Sequence, residues 1–153
     1  MNLKLKLSLA IYLANVIVMI AIGLAFEFRT EFMSFHSDVI QTDWDDVDPQ
    51  AQILYLGMMR TEGAGFLAAA TALLFLAAFP FRKLEKWSYT AMTVIGVVEY
   101  LPTLIANYHV STVSNASPPW VLMLVLILSL LLAFVLANIG HREIGTHGGR
   151  YRA

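Results

Sequence analysis

Polar and apolar positions do not alternate finely along most of this chain. They come in long blocks. Four apolar stretches, each close to the ~20 residues a helix needs to cross hydrocarbon, run over about residues 7–26, 60–80, 87–108 and 120–138. The first follows Lys4 and Lys6, as a signal peptide would, and Gly23-Leu24-Ala25 has the small-x-small form of a cleavage site. Its apolar run exceeds an ordinary signal core, so it reads as a retained helix. Trp87, Tyr89 and Trp120 stand at span ends, where amphipathic rings anchor at the membrane interface.

Between the first two spans lies the one sizeable polar piece, residues 27–59. It is acidic, and Phe32, Phe35, Val39 and Ile40 recur in it at roughly helical spacing. That pattern predicts a short amphipathic helix lying on the membrane surface. Asp48-Pro49 then reads as a helix start, with Asp48 as the cap and Pro49 in the first turn, so the second helix is expected to begin about three turns before its apolar run. Ser117-Pro118 is expected to open the fourth helix similarly. The link 81–86 is short, which makes its neighbours antiparallel. The tail from Gly140 is polar and glycine-rich and is expected to be mobile. The predicted fold is all-α, a single domain, an antiparallel four-helix transmembrane bundle.

Composition agrees. Of 153 residues, 58% are hydrophobic and only 14% charged, where soluble domains carry about a quarter charged. Eight of the ten basic residues flank the spans on one side: Lys4 and Lys6; Arg82, Lys83 and Lys86; Arg142, Arg150 and Arg152. Only Arg29 and Arg60 lie on the other. The positive-inside bias therefore places both termini in the cytoplasm, and a bacterial inner membrane is the expected location. A net charge of −1 and the lack of a basic stripe argue against nucleic acid. The absence of cysteine excludes disulfides, thiolate metal sites and thiol catalysis.

In lipid, small residues mark helix contacts. The second span carries Gly63, Ala64, Gly65, Ala68, Ala69, Ala70 and Ala72 and is expected to be central. The fourth span is nearly all Leu, Val and Ile, with Ser129 its lone polar residue. It is expected to be the most peripheral helix, or to meet another subunit.

Glu99, midway along the third span, is the leading functional candidate. A carboxylate at that depth is costly and ordinarily faces a cavity, a partner or the bundle interior. Gly96, Thr103, Ala106 and Asn107 share its face, and Pro102 weakens the helix ladder beside it. The structural alternative is a Glu that ties helices together, for instance to Asn15, itself expected as interhelical glue. Arg60 and Glu62 lie at the outer end of the second span, at the depth of Asn107 and His109. Arg60 either reaches toward Glu99 or snorkels to headgroups. A polar vestibule of Arg60, Glu62, Asn107 and His109 above Glu99 is the sharpest expectation, set against ordinary interfacial decoration. The aspartates at 43, 45, 46 and 48 lack the glycine and terminal glutamate of a calcium loop, and the four histidines have no metal-ligand spacing. The inner half of the spans supplies almost no polar residue, which places transport behind the other readings.

The opening of the second helix, Arg60-Thr61-Glu62-Gly63-Ala64-Gly65-Phe66-Leu67, followed by a basic turn, resembles small bacterial four-helix membrane proteins of the broad DoxX-like kind. The resemblance implies a link to quinone or sulfur-compound oxidoreduction; the chain itself is also expected to serve as an accessory module beside a larger membrane complex or in a homo-oligomer. The leading expectation is a module binding a hydrophobic small molecule, a quinone or lipid, with Glu99 as polar anchor. The alternatives are an enzyme acting on a lipophilic substrate, with Glu99 or Glu62 as acid or base, and a proton-coupled transporter.

Overall fold

The computed structural model describes residues 1–149, with side chains through Ile144. Five α-helices account for most of it: α1 (Leu3–Glu27), α2 (Ser34–Ile40), α3 (Pro49–Leu76), α4 (Lys86–Val113) and α5 (Trp120–Gly149). No strand occurs among the described residues. Helices α1, α3, α4 and α5 are long and apolar enough to span a bilayer. With their exposed faces so rich in Leu, Ile and Val, the chain is an integral membrane protein. The bundle has a termini end and an opposite end, called here the loop end, which carries residues 28–48.

Local chemistry sets the helix boundaries. The Asp48 carboxylate accepts from the backbone N–H groups of Gln50 and Ala51, and Pro49 occupies the first turn. Helix α3 thus starts where the sequence places it, well before the apolar run. It ends in a widened, π-type turn over Ala77–Phe81 that accommodates Pro80. Leu84 then adopts a left-handed conformation (φ 61°), and Glu85 N–H closes the turn on Pro80 O at 3.0 Å. Helix α4 continues on both sides of Pro102. Helix α5 begins at Trp120, two residues later than Ser117-Pro118 suggested.

The four spans form a square in the order α1, α3, α4, α5. Helix α5 packs on both α1 and α4, burying Met123, Leu126, Leu130, Ala133 and Ala137. It is therefore no more peripheral than its neighbours: its small residues on one face let it approach as closely as the others. Helix α3 meets α1 through paired glycines, where a Cβ on Gly63 would lie 2.8 Å from Gly23 O and one on Gly23 would lie 2.9 Å from Gly63 O. Ala64 and Ala68, expected at a contact, face outward instead. The seam between α3 and α4 is the loosest of the four.

Two further expectations are corrected. The segment from Gly140 to Gly149 is helical, a continuation of α5. It is held by the N-terminus: Asn2 Nδ2 donates to Gly140 O (2.9 Å) and Glu143 Oε2 (3.0 Å), and Lys4 pairs with Glu143. The inner half of the bundle also carries buried polar groups. Ser8 donates to Ala133 O at 2.7 Å, and the Tyr12 hydroxyl lies 2.8 Å from Thr93 Oγ1. The Tyr89 hydroxyl lies 3.2 Å from His141 Nδ1. Tyrosine reads as apolar or interfacial in a hydropathy pattern, which hid this string.

Candidate functional site

Residues 28–48 fold back over the loop end rather than extending away from it. Phe32 anchors them: it is buried, and its ring meets those of His36, Trp44 and Tyr55 edge-on, with centroids 6.2, 4.9 and 5.7 Å away. Such pairs add ~0.5–1.5 kcal/mol each beyond burial of their area. Tyr55 belongs to the part of α3 that precedes its apolar run, so the early helix start gives the returning loop something to pack on. Helix α2 is thereby laid across the loop end of the α3–α4 seam.

Beneath α2 lie two cavities that share a wall. The larger, about 340 Å³, runs between α2 and the seam and is lined by Val39, Ile40, Tyr55 and Ala106 together with the shared wall. The smaller, about 200 Å³, reaches into the bundle and is bounded by Ile22, Phe26, Phe66 and Met123. The shared wall is Phe35, His36, Glu62, Thr103 and Asn107. Four polar side chains from three helices thus meet on an otherwise apolar lining.

The polar groups are arranged in layers along the seam. Thr103 Oγ1 donates to Glu62 Oε1 across α3–α4 at 3.5 Å, the outer limit of a hydrogen bond. Asn107 lies one turn toward the loop end. Glu99 lies one turn the other way, about 6 Å deeper at 1.5 Å per residue, and its Oε1 would sit 3.2 Å from a Cβ added to Gly65. Glycine at 65 is what lets the carboxylate lie flat against α3. Glu99 is half-buried, in the seam midway along α4. Among the described residues no cation reaches salt-bridge distance of Glu62 or Glu99, and no side chain hydrogen-bonds Glu99 or the Asn107 amide.

At the loop surface, Met33 N–H donates to His36 Nδ1 at 3.3 Å, and burial holds the imidazole below its ordinary range. The side chain is thus favoured neutral, with Nδ1 as acceptor and Nε2 as the N–H.

The expected site residues divide cleanly. Glu62, Thr103 and Asn107 line the cavities, and Glu99 lies directly below them. Arg60 and His109 are exposed and line neither cavity. Arg60 makes no ion pair with Glu99 among the described residues. Asn15 is on the far side of the bundle: its Nδ2 donates to Ile11 O and to Ser129 Oγ, both at 2.9 Å, which joins α1 to α5. It does not touch Glu99, so the tie imagined between them is not formed. His36, Phe35 and Phe66 complete the cavity walls, a place the sequence did not assign to them. No three metal-ligating side chains converge among the described residues.

The chain was compared with family models, with curated proteins and with solved structures, and none matches.

Proposed function

We propose that this protein binds a lipophilic small molecule, of quinone or small-lipid size, in the cavity between α2 and the α3–α4 seam. One observation carries the reading: an apolar cavity of about 340 Å³ in which Glu62, Thr103, Asn107 and His36 converge on one wall. That volume falls at the lower end of the ~300–1,000 Å³ of small-molecule sites, which are also mostly apolar with a few placed polar groups. The loosely packed seam beneath it gives a ligand a route in from the bilayer. The polar wall would hold the head of the molecule. Phe35, Val39 and Ile40 would cover its chain.

The reading includes orientation and origin. The excess of basic residues in the segments flanking the spans on one side supports cytoplasmic termini, in which case the cavity would open at the outer leaflet of a bacterial inner membrane. Kinship with the DoxX-like proteins, suggested by the Arg60–Leu67 stretch, belongs to the same proposal, as does a place beside a larger membrane complex.

Filling the cavity tests it. Thr103→Trp places an indole in the shared wall, at a half-exposed position where the bundle core is not disturbed. Protein purified in a mild detergent is expected to carry co-purifying lipophiles in native mass spectrometry, and T103W is expected to lose them while unfolding at the same temperature. Equal occupancy of both proteins would overturn the assignment.

A further inference from the structure

The charge balance along the α3–α4 seam says more about the head of the ligand. This step rests on the cavity reading above and sharpens it. Glu62 and Glu99 lie about one helix turn apart on facing sides of a single seam, and neither has a cation of the protein within reach among the described residues. Only two basic residues lie at this end, Arg29 and Arg60. Arg29 is spent on Met33, whose sulfur accepts from its Nε at 3.2 Å and its Nη2 at 3.0 Å, and Arg60 is turned to the surface. The protein thus brings one acid to the cavity wall and a second to the seam just below it, and among the described residues pairs neither with a cation. A carboxylate at such a depth ordinarily faces a partner or a cavity; here Glu62 lines the cavities and Glu99 lies one turn below them.

The surrounding groups suit a cation. Phe35, Phe66 and Tyr55 present aromatic surface to the cavities, and ring faces attract ammonium groups when water is excluded. Thr103 and Asn107 have oxygen acceptors in the same wall. His36 is favoured neutral and adds no positive charge. A neutral carbonyl head would find donors in Asn107 Nδ2 and the Nε2–H of His36, but would leave both carboxylates unmatched.

We propose that the cavity selects amphiphiles with a monovalent cationic head, such as a protonated or quaternary amine, whose charge is balanced by Glu62 at the cavity wall and by Glu99 one turn deeper in the seam. A ligand of this class enters sideways from the bilayer, with its head passing Glu99 and its tail remaining among the apolar side chains of α2.

The test uses the full chain in nanodiscs of zwitterionic lipid, with empty nanodiscs as the reference. Three probes of equal chain length are titrated by calorimetry: an alkyltrimethylammonium, an alkylbenzoquinone and an alkylphosphonate. The ammonium is expected to bind at least about tenfold tighter than the other two, since close charge pairs are worth ~1.5 kcal/mol or more and each 1.4 kcal/mol is tenfold. Glu62→Gln and Glu99→Gln are each expected to weaken the ammonium about tenfold and to leave the quinone unchanged. The comparison of probes on the unaltered chain does not depend on any variant folding. If the quinone binds as tightly as the ammonium, the cation assignment is wrong and the cavity reading stands. If no probe binds, both are wrong. Ammonium binding that neither substitution weakens would remove the two glutamates from the site.

Discussion

The glycine pair joining α1 to α3 permits a quantitative forecast, because both partners are backbone. A Cβ on Gly63 would meet Gly23 O at 2.8 Å, Phe26 Cβ at 3.0 Å and Glu27 N at 3.2 Å. A carbon approaches a carbonyl oxygen no closer than about 3.3 Å. Gly63→Ala must therefore push the two helices apart by roughly half an ångström at their crossing, and neither a backbone carbonyl nor the base of a side chain can swing aside. Overpacking of this kind costs ~1–3 kcal/mol. Alanine recovers part of that, since it is better than glycine in a helix by ~0.5–1 kcal/mol. Gly57, six residues earlier on α3, supplies the control: a Cβ there meets nothing within 4 Å. Both substitutions carry the same helix-propensity gain, so the difference between G63A and G57A isolates the contact and is expected to be about 2 kcal/mol. Equilibrium unfolding in mixed micelles, followed by circular dichroism, measures it. G57A is expected at or above the parent and G63A below it. If G63A unfolds with G57A, the close approach of α1 and α3 is wrong, and with it the geometry that opens the α3–α4 seam.

Tyr12→Phe removes a hydroxyl that lies 2.8 Å from Thr93 Oγ1 and reaches Tyr89 O, and is expected to lower bundle stability by about 0.6–1.5 kcal/mol in the same assay. Asn15→Leu should change stability by less than about 1 kcal/mol: it loses the bond to Ser129, but it also removes the buried Oδ1, which has no partner and costs ~1–3 kcal/mol as it stands. Glu99→Gln, read by unfolding, is expected to be neutral or stabilising, since no ion pair among the described residues is broken and a charge at mid-membrane depth, costing ~2.5–3.5 kcal/mol on insertion scales, is removed. The loop-end cover should loosen in acid. His36 takes up a proton less readily when packed than when free, so the packed state is fully favoured above the ordinary value of 6.5 and loses ground as pH falls below it. Hydrogen exchange over residues 34–46 is expected to quicken on that side, and His36→Gln to flatten the dependence.

Block hydropathy made the spans legible because a bilayer-crossing backbone must satisfy its own hydrogen bonds, and only ~20-residue apolar helices do so without help. The start of α3 was legible too, since Asp48-Pro49 acts through local bonds alone. Part of the site was readable from depth: Glu62, Thr103, Asn107 and Glu99 fall on facing helices at matching levels. What the sequence hid is tertiary. His36 and Phe35 reach the cavity only because Phe32 folds residues 28–48 back onto Tyr55, a contact between segments about two dozen residues apart. Arg60 and His109 share the right depth but the wrong face, which one-dimensional spacing on two helices of unknown rotation does not determine. Asn15 was paired with Glu99 by depth alone, when Ser129 on α5 stood closer. The role of Gly140 was missed because glycine near a C-terminus reads as a helix stop, while here it admits Asn2 and Lys4 against α5.

The occupancy of the loop-end cavity is the claim on which the functional account turns, and labelling in place tests it most directly. An alkyl amine carrying a diazirine on its chain, photolysed with the protein in native membranes and mapped by peptide sequencing, is expected to mark residues of α2 near Phe35 and of α4 between Thr103 and Asn107, with unlabelled amine suppressing both. Label confined to the lipid-facing surfaces of α4 and α5, and indifferent to competitor, would contradict it.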